Sequence, residues 1–206
     1  MYKQHDIAGG YTLTNDGNLP RLTSQPNRPT GIHLSGILSK IHGYSNKISP
    51  ETLETQHSFL TSNLMELGCM FEFALKHWLK VSQPNRYIDP PSLLKDGIHL
   101  TPDLYYLGDD YDAYGEVKLT RKSANACPGD DRFAYWESQL KSYCHADNCN
   151  TGRLMICHVN GFYRWLSRSA TLEEIANDDV VFNIWERTYS DQELISNWAM
   201  ILAQKG

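Results

Sequence analysis

The spacing of the apolar residues alternates along the chain between a helical period and a strand-like period, and this order limits the folds that the chain can adopt. Residues 98–107 and 114–120 are short apolar runs on either side of a Gly-Asp-Asp turn at 108–110, which predicts two strands of a hairpin. A helix is predicted over 132–146. Residues 51–80 carry large apolar side chains three or four positions apart, which predicts a helix with one buried stripe: Leu64, Leu67, Phe71, Leu75 and Trp78.

The second half of the chain continues the alternation. Strands predicted at 153–159 and 162–166 flank Asn160-Gly161, a two-residue hairpin signal. A last strand over 180–189 and a helix capped by Asp191 follow. The complete order is helix, two strands, helix, three strands, helix. This order predicts one mixed α/β domain.

The length of 206 residues is typical of a single domain, which we divide into three parts. Residues 1–32 are rich in Gly, Asn, Pro, Thr and Ser and predict an irregular N-terminal arm. Residues 51–168 form the core of the domain, and 180–206 supply a C-terminal strand and helix.

The chain carries 24 acidic and 19 basic residues, a net charge of −5. This charge argues against a protein that coats nucleic acid non-specifically. It does not argue against nucleic-acid chemistry, because a bound metal offsets acidic ligands. No apolar stretch approaches the roughly 18 residues of a membrane span. The five cysteines form no Cys-x-x-Cys pair and follow no signal peptide, which predicts reduced thiols in a cytoplasmic protein rather than an iron–sulfur or zinc site.

Two carboxylates and a lysine are predicted to converge where the hairpin strands meet. Pro102 cannot donate to a ladder, so the first strand should bend or lie at an edge there, and Asp103 follows directly. Glu116 and Lys118 share one face of the second strand, while Val117 points into a core. Carboxylates suit Mg²⁺, and a nearby lysine can orient water or stabilise negative charge, so the set suits metal-assisted phosphodiester hydrolysis. A turn aspartate and a solvated strand face would use the same residues.

One face of the helix predicted over 132–146 combines a guanidinium, an indole, an amide and a phenol: Arg132, Trp136, Gln139 and Tyr143. Such a face can present donors to phosphate oxygens and rings to bases. The alternative is an amphipathic helix with a half-exposed aromatic seam.

Glu72 is a carboxylate in apolar surroundings, since the segment from Cys69 to Leu75 is otherwise apolar. A desolvated carboxylate needs a partner, and a metal ion is one kind of partner. Lys76, four residues further on, is another. The local pattern does not choose between the two.

Taken in order, four short motifs resemble those of the PD-(D/E)xK nuclease superfamily, nearest to its phage-type (lambda-exonuclease-like) and RecB-like branches: Gly68-x-x-x-Glu72, Pro102-Asp103, Glu116-Val117-Lys118 and Gln139-x-x-x-Tyr143. The resemblance implies a central mixed β-sheet flanked by helices, the restriction-endonuclease-like core. It also implies Mg²⁺ or Mn²⁺ as cofactor, and the metal ligands that it implies are Asp103, Glu116, Glu72 and the Val117 carbonyl. Lys118 would be the catalytic lysine, and Gln139 and Tyr143 would position DNA or the nucleophile.

The activity implied by the resemblance is hydrolysis of DNA phosphodiester bonds in recombination, repair or phage DNA processing, in a bacterial or infected host cell. Its nearest branches favour an exonuclease on duplex ends, and several of their members form rings of identical subunits. The residues expected to contact DNA, besides Gln139 and Tyr143, are Arg132, Trp136, Arg121 and Lys122. Two alternatives stay open: a structure-selective or site-specific endonuclease of the same fold, and a catalytically inactive DNA-binding or assembly module.

Overall fold

The computed structural model describes residues 3–5, 30–43, 71–120, 129, 131–159 and 180–205. The strands are β1 (Lys3–His5), β2 (Ile32–His33), β3 (Tyr87–Ile88), β4 (Leu93–Lys95), β5 (Ile98–Leu100), β6 (Leu104–Leu107), β7 (Asp112–Thr120), β8 (Thr151–Val159) and β9 (Val180–Thr188). The helices are α1 (Leu34–Ile41), α2 (residues 71–82), α3 (Ala134–Ala146, after a 3-10 turn at Asp131–Phe133) and α4 (Asp191–Ala203). The predictions for 44–70 and for the strand at 162–166 lie outside the described residues.

Among the described residues, the main sheet contains six strands in the order β1-β9-β8-β7-β6-β3. The central strands β7 and β8 run parallel, and every other neighbouring pair is antiparallel. Parallel neighbours in sequence need a crossover connection, and α3 supplies it between β7 and β8. The predicted mixed α/β class, with a central mixed sheet flanked by helices, is confirmed.

The chain changes sheets between β5 and β6. β5 lies in a second sheet of three strands, parallel to β2 and antiparallel to β4, whereas β6 pairs with β7 in the main sheet. The single strand predicted over 98–107 is therefore wrong. Pro102 lies in the break and is buried, and its missing N–H makes it unsuited to a ladder. The predicted hairpin is confirmed for β6 and β7.

The side chains of β7 alternate between two hydrophobic cores, as the strand period predicts. Tyr114 packs on the α3 side of the sheet with Leu140 and Leu154. Val117 packs on the α2 side, together with a group that includes Met155, Leu75 and Leu79. The predicted apolar stripe is wrong at one position of α2, because Leu79 is 1% exposed while Trp78 is 37% exposed.

Both ends of the described chain correct the sequence prediction in detail. Lys3–His5 forms an edge strand antiparallel to β9, so the predicted irregular arm over 1–32 is wrong at these residues. Ser190, rather than Asp191, caps α4: its hydroxyl accepts the Glu193 N–H, and the Glu193 carboxylate accepts the Ser190 N–H. None of the helices that the structure describes has the length and apolar character needed to cross a membrane.

Candidate active site at the junction of the two sheets

The candidate site begins where β6 stops pairing with β7. The last register pair is Leu104 with Gly115, and the next residue of β7 therefore has no strand partner on that side. Asp103 takes the place of a strand, because its Oδ2 accepts the backbone N–H of Val117 at 2.8 Å. This bond fixes the Asp103 carboxylate beside the main-chain stretch 116–118. The convergence that the sequence predicts for Asp103, Glu116 and Lys118 is present in the structure.

Glu116 is a buried carboxylate with one oxygen engaged and one oxygen unengaged. Its Oε1 accepts a hydrogen bond from Lys118 Nζ, and its side chain is 2% exposed. Its Oε2 is buried and has no hydrogen-bond partner of normal geometry among the described residues, although the Tyr143 hydroxyl is close enough to lower the pKa of Glu116. Leaving a buried acceptor unpaired is unfavourable, so this oxygen indicates a place for an additional ligand.

The protonation of this pair follows from burial and from the charges around it. Burial raises the pKa of Glu116 to about 7 and the Asp103 carboxylate raises it too, whereas Lys118 and the Tyr143 hydroxyl lower it. Burial by itself would lower the pKa of Lys118. The nearby carboxylates of Glu116, Asp103 and Glu72 outweigh burial and raise this pKa above its ordinary value. Lys118 is therefore a stable cation at neutral pH.

Glu72 joins this cluster electrostatically from α2. Burial raises the pKa of Glu72, and the Asp103 carboxylate raises it further, whereas Lys76 and Lys118 lower it. The Glu72 side chain remains 36% exposed, and its Oε1 lies 3.3 Å from Lys76 Nζ. The ion pair with Lys76 that the sequence suggested is thus present in the structure. The charges of Asp103 and Lys118 also shift the pKa of Glu72.

Two buried polar side chains of α3 close the cluster on its other side. The Gln139 Nε2 donates to the Tyr143 hydroxyl at 3.3 Å, and that hydroxyl donates to the Thr101 carbonyl at 3.4 Å. The Gln139 Oε1 is buried without a hydrogen-bond partner in the described part of the chain. Burial, followed by the charges of Glu116 and Asp103, raises the pKa of Tyr143 well above its ordinary value, so this phenol stays neutral.

The remaining predicted residues are distributed differently. Trp136 is partly buried and packs edge to face on Phe133, with ring centroids 5.2 Å apart, so it contributes to the core more than to an open binding face. Arg132 lies in the 3-10 turn before α3. Arg121 and Lys122 lie outside the described residues, as does the Arg132 side chain. The Thr101 carbonyl was not predicted from the sequence as part of the site, although Thr101 directly precedes the Pro102-Asp103 motif.

The residues of the cluster can be tested for their fit to a divalent metal. Within the described ranges, no group of three or more His, Cys, Asp or Glu side chains is arranged to hold a metal ion. Mg²⁺ does not require such a group, because it binds through one or two carboxylates and keeps several waters. The unpaired Glu116 Oε2, with Asp103 held beside it, supplies a donor set of this type. The cluster therefore fits a hard, partly hydrated cation.

The comparisons with known proteins come from structures alone, since no family model and no curated protein match the chain. The protein SSO0001 is similar at a TM-score of 0.46 and 12% identity, over 89% of this chain and 80% of that chain. LHK-Exo in complex with dAMP is similar at a TM-score of 0.47 and 10% identity, over 85% of this chain and 87% of that chain. A phage-related exonuclease from Haemophilus somnus 129PT is similar at a TM-score of 0.41 and 9% identity, over 83% of this chain and 78% of that chain. TM-scores and sequence identities this low assign no function to the chain. The function must be argued from the site.

Proposed function

We propose that the protein is a metal-dependent nuclease that hydrolyses phosphodiester bonds of DNA. The observation that carries the proposal is the buried, unpaired Oε2 of Glu116, placed beside Asp103 and Lys118 at the open end of β6. A purely structural ion pair would not need a second carboxylate held next to an acceptor without a partner. The order of the motifs along the chain supports the same function.

Each residue has a role that its environment suits. Asp103, Glu116 and the Val117 carbonyl would hold Mg²⁺ or Mn²⁺, with Glu72 as a further acidic ligand. When bound there, the ion would supply Lewis-acid activation of a scissile phosphate and of a water molecule. Lys118 is held protonated by its acidic neighbours, so it stabilises negative charge on the phosphate oxygens rather than removing a proton.

Gln139 and Tyr143 would orient the DNA backbone or the attacking water. The amide oxygen of Gln139 is unpaired and can accept a hydrogen bond from that water, while the neutral Tyr143 hydroxyl is a donor. Arg132, Arg121, Lys122 and the part of Trp136 that is not buried in the core remain proposed DNA contacts. We propose an exonuclease acting on ends of double-stranded DNA as the specific activity, in a cytoplasmic setting.

The test uses end-labelled linear duplex and covalently closed circular DNA, each with Mg²⁺, with Mn²⁺ and with chelator. Lys118→Met, Asp103→Asn and Glu116→Gln are compared with the wild type. Matched controls remove the same charges elsewhere: Lys80→Met and Asp109→Asn, whose partners are Asp89 and Arg86 on the surface. Metal-dependent cleavage should fall at least about a hundredfold in the site variants and stay unchanged in the controls.

The two substrates and a binding measurement separate the alternatives. Degradation of the linear DNA alone supports an exonuclease, and nicking of the circle assigns the same site to an endonuclease. DNA binding without cleavage in either metal would overturn the catalytic proposal and favour an inactive binding module. Equal loss of activity in the site and control variants would overturn the assignment of the site.

A further inference from the structure

The carboxyl end of α3 brings two cysteines together through its backbone. The helix ends at Ala146 with Asp147 as its C-cap, and Asn148 follows with a left-handed φ of 55°. The N–H of Cys149 then donates to the Cys144 carbonyl at 3.0 Å. This is the hydrogen bond of a Schellman motif, in which the side chains at these two positions commonly touch. Cys144 and Cys149 occupy those positions.

The two sulfur atoms share one hydrogen-bond acceptor. Cys144 Sγ lies 3.4 Å and Cys149 Sγ lies 3.5 Å from the Thr151 carbonyl oxygen. Cys149 Sγ also lies 3.4 Å from the Asp112 carbonyl oxygen. A disulfide needs α-carbons within about 7 Å and side chains that point towards each other, and both conditions are favoured by this arrangement.

The two thiols differ in access and in acidity. Both cysteines border a cavity of about 660 Å³, but Cys149 is half-buried whereas Cys144 is fully buried. The neighbouring Cys144 thiol lowers the pKa of Cys149 to about 7 against the effect of burial, and burial raises the pKa of Cys157 to about 12. Because the thiolate is the reactive form, Cys149 is the nucleophile of the three described cysteines, and Cys144 is placed to respond to its oxidation.

We infer that Cys144 and Cys149 form a redox-active dithiol that reacts with hydroperoxides and closes to an intramolecular disulfide. The Cys149 thiolate attacks one oxygen of the hydroperoxide. An S–O bond forms, the O–O bond breaks, and after proton uptake the products are Cys149 sulfenic acid and water or an alcohol. The Cys144 thiol then attacks the Cys149 sulfur, forming the disulfide and releasing water. The sulfurs lose two electrons in total, and the peroxide gains them.

The reaction can be followed in a single proteolytic peptide. Cleavage after Lys141 and Arg153 places both cysteines in peptide 142–153, while Cys157 lies in the next peptide. The native protein is treated with hydrogen peroxide, blocked with an alkylating reagent and digested. Peptide 142–153 should become lighter by two hydrogen atoms and resist alkylation, while Cys157 remains a thiol. At pH near 7, Cys149 in untreated protein should be alkylated at least about a hundredfold faster than Cys157.

Serine variants identify the role of each sulfur. Cys144→Ser should halt oxidation at a Cys149 sulfenic acid that dimedone captures, and Cys149→Ser should abolish both products. Cys157→Ser is the matched control and should form the disulfide as the wild type does. If a serine variant fails to fold, phenylarsine oxide, which bridges two close thiols, reports the pair in the wild type by protecting peptide 142–153 from alkylation.

Three results would overturn the inference. The first is oxidation of Cys149 no faster than that of Cys157. The second is a final product of sulfinic acid without a disulfide in peptide 142–153. The third is a disulfide from Cys149 to any cysteine other than Cys144. All of these readouts are independent of nuclease activity, so they remain valid whatever the outcome for the proposed function.

Discussion

The burial of Glu116 predicts an unusual dependence of stability on pH when no divalent metal is present. The pKa of this carboxyl is raised from 4.5 to about 7 in the folded chain, first by burial and then by Asp103. A group with a raised folded pKa binds its proton more tightly in the folded state. Its contribution to stability is therefore complete below the unfolded pKa and is lost as the pH rises through the folded pKa.

The size of the effect follows from the two pKa values. Between about pH 5 and about pH 8, Glu116 should lose roughly 2 to 3 kcal/mol of its contribution to the free energy of unfolding. No reduction for solvent screening applies, because the residue is 1% exposed. For a chain of this length, the loss corresponds to a decrease in Tm of about 4 to 12 °C.

The measurement is urea unfolding in chelator across this pH range, for the wild type and for Glu116→Gln. The difference between the two isolates Glu116, because other titrating groups contribute similarly to both proteins. We expect the wild type to lose stability relative to the variant as the pH rises. Glu193→Gln is the control: the hydrogen bonds of the α4 cap lower the pKa of Glu193, so its titration falls below this window. A flat difference for Glu116→Gln, or one of opposite slope, would refute the reasoning.

Three further predictions concern the site and its support. At a concentration about a hundred times its Kd, Mg²⁺ or Mn²⁺ should stabilise the wild type by about 3 kcal/mol in thermal melts at about pH 8. Asp103→Asn should reduce this gain, and an equal gain in both would contradict the metal site. Glu186→Gln should cost about 3 to 5 kcal/mol in urea unfolding, because it removes the counter-charge 2.8 Å from the buried Arg153 guanidinium; a loss under about 1 kcal/mol would contradict this. Gly115→Ala should cost about 1 to 3 kcal/mol and lower cleavage, because its Cβ would lie 3.1 Å from Leu104 Cβ at the end of β6. Gly36→Ala, with nothing within 4 Å, is its control and should not destabilise the fold.

The parts of the fold that could be predicted from the sequence are those fixed by local periodicity. In a strand, neighbouring side chains must point to opposite faces, so the separation of Glu116 and Lys118 from Val117 followed from spacing alone. The same reasoning identified β7, α3, β9 and α4 from their apolar patterns. Residue type added an irregularity at Pro102, predicted as a bend or an edge position, since proline has no N–H to donate.

The errors arose where a choice depends on distant partners. An apolar run does not reveal which sheet receives it, so 98–107 was predicted as one strand although its halves belong to different sheets. The choice between Trp78 and Leu79 depends on how α2 is rotated against the main sheet. The strand Lys3–His5 carries no apolar alternation, and its pairing comes from the backbone of β9.

The candidate site shows the same division. The residue types and their order could be found in the sequence, but the unpaired Glu116 Oε2 depends on how α3 covers β7. The contact from Tyr143 to the Thr101 carbonyl joins residues 42 positions apart. The bond from Asp103 to the Val117 N–H depends on where β6 ends. None of these features can be recognised from a local pattern in the sequence.

The short linker 101–103 connects β5 directly to β6, and residues of the candidate site hold it at both ends. Tyr143 binds the Thr101 carbonyl, and Asp103 binds the Val117 N–H. A ligand that binds to Tyr143 or Asp103 must compete with these two hydrogen bonds. Ligand binding at the site is therefore coupled energetically to the position of the linker 101–103 between the two sheets. In amide hydrogen exchange, β5 and β6 should respond to the ligand together, although they belong to different sheets.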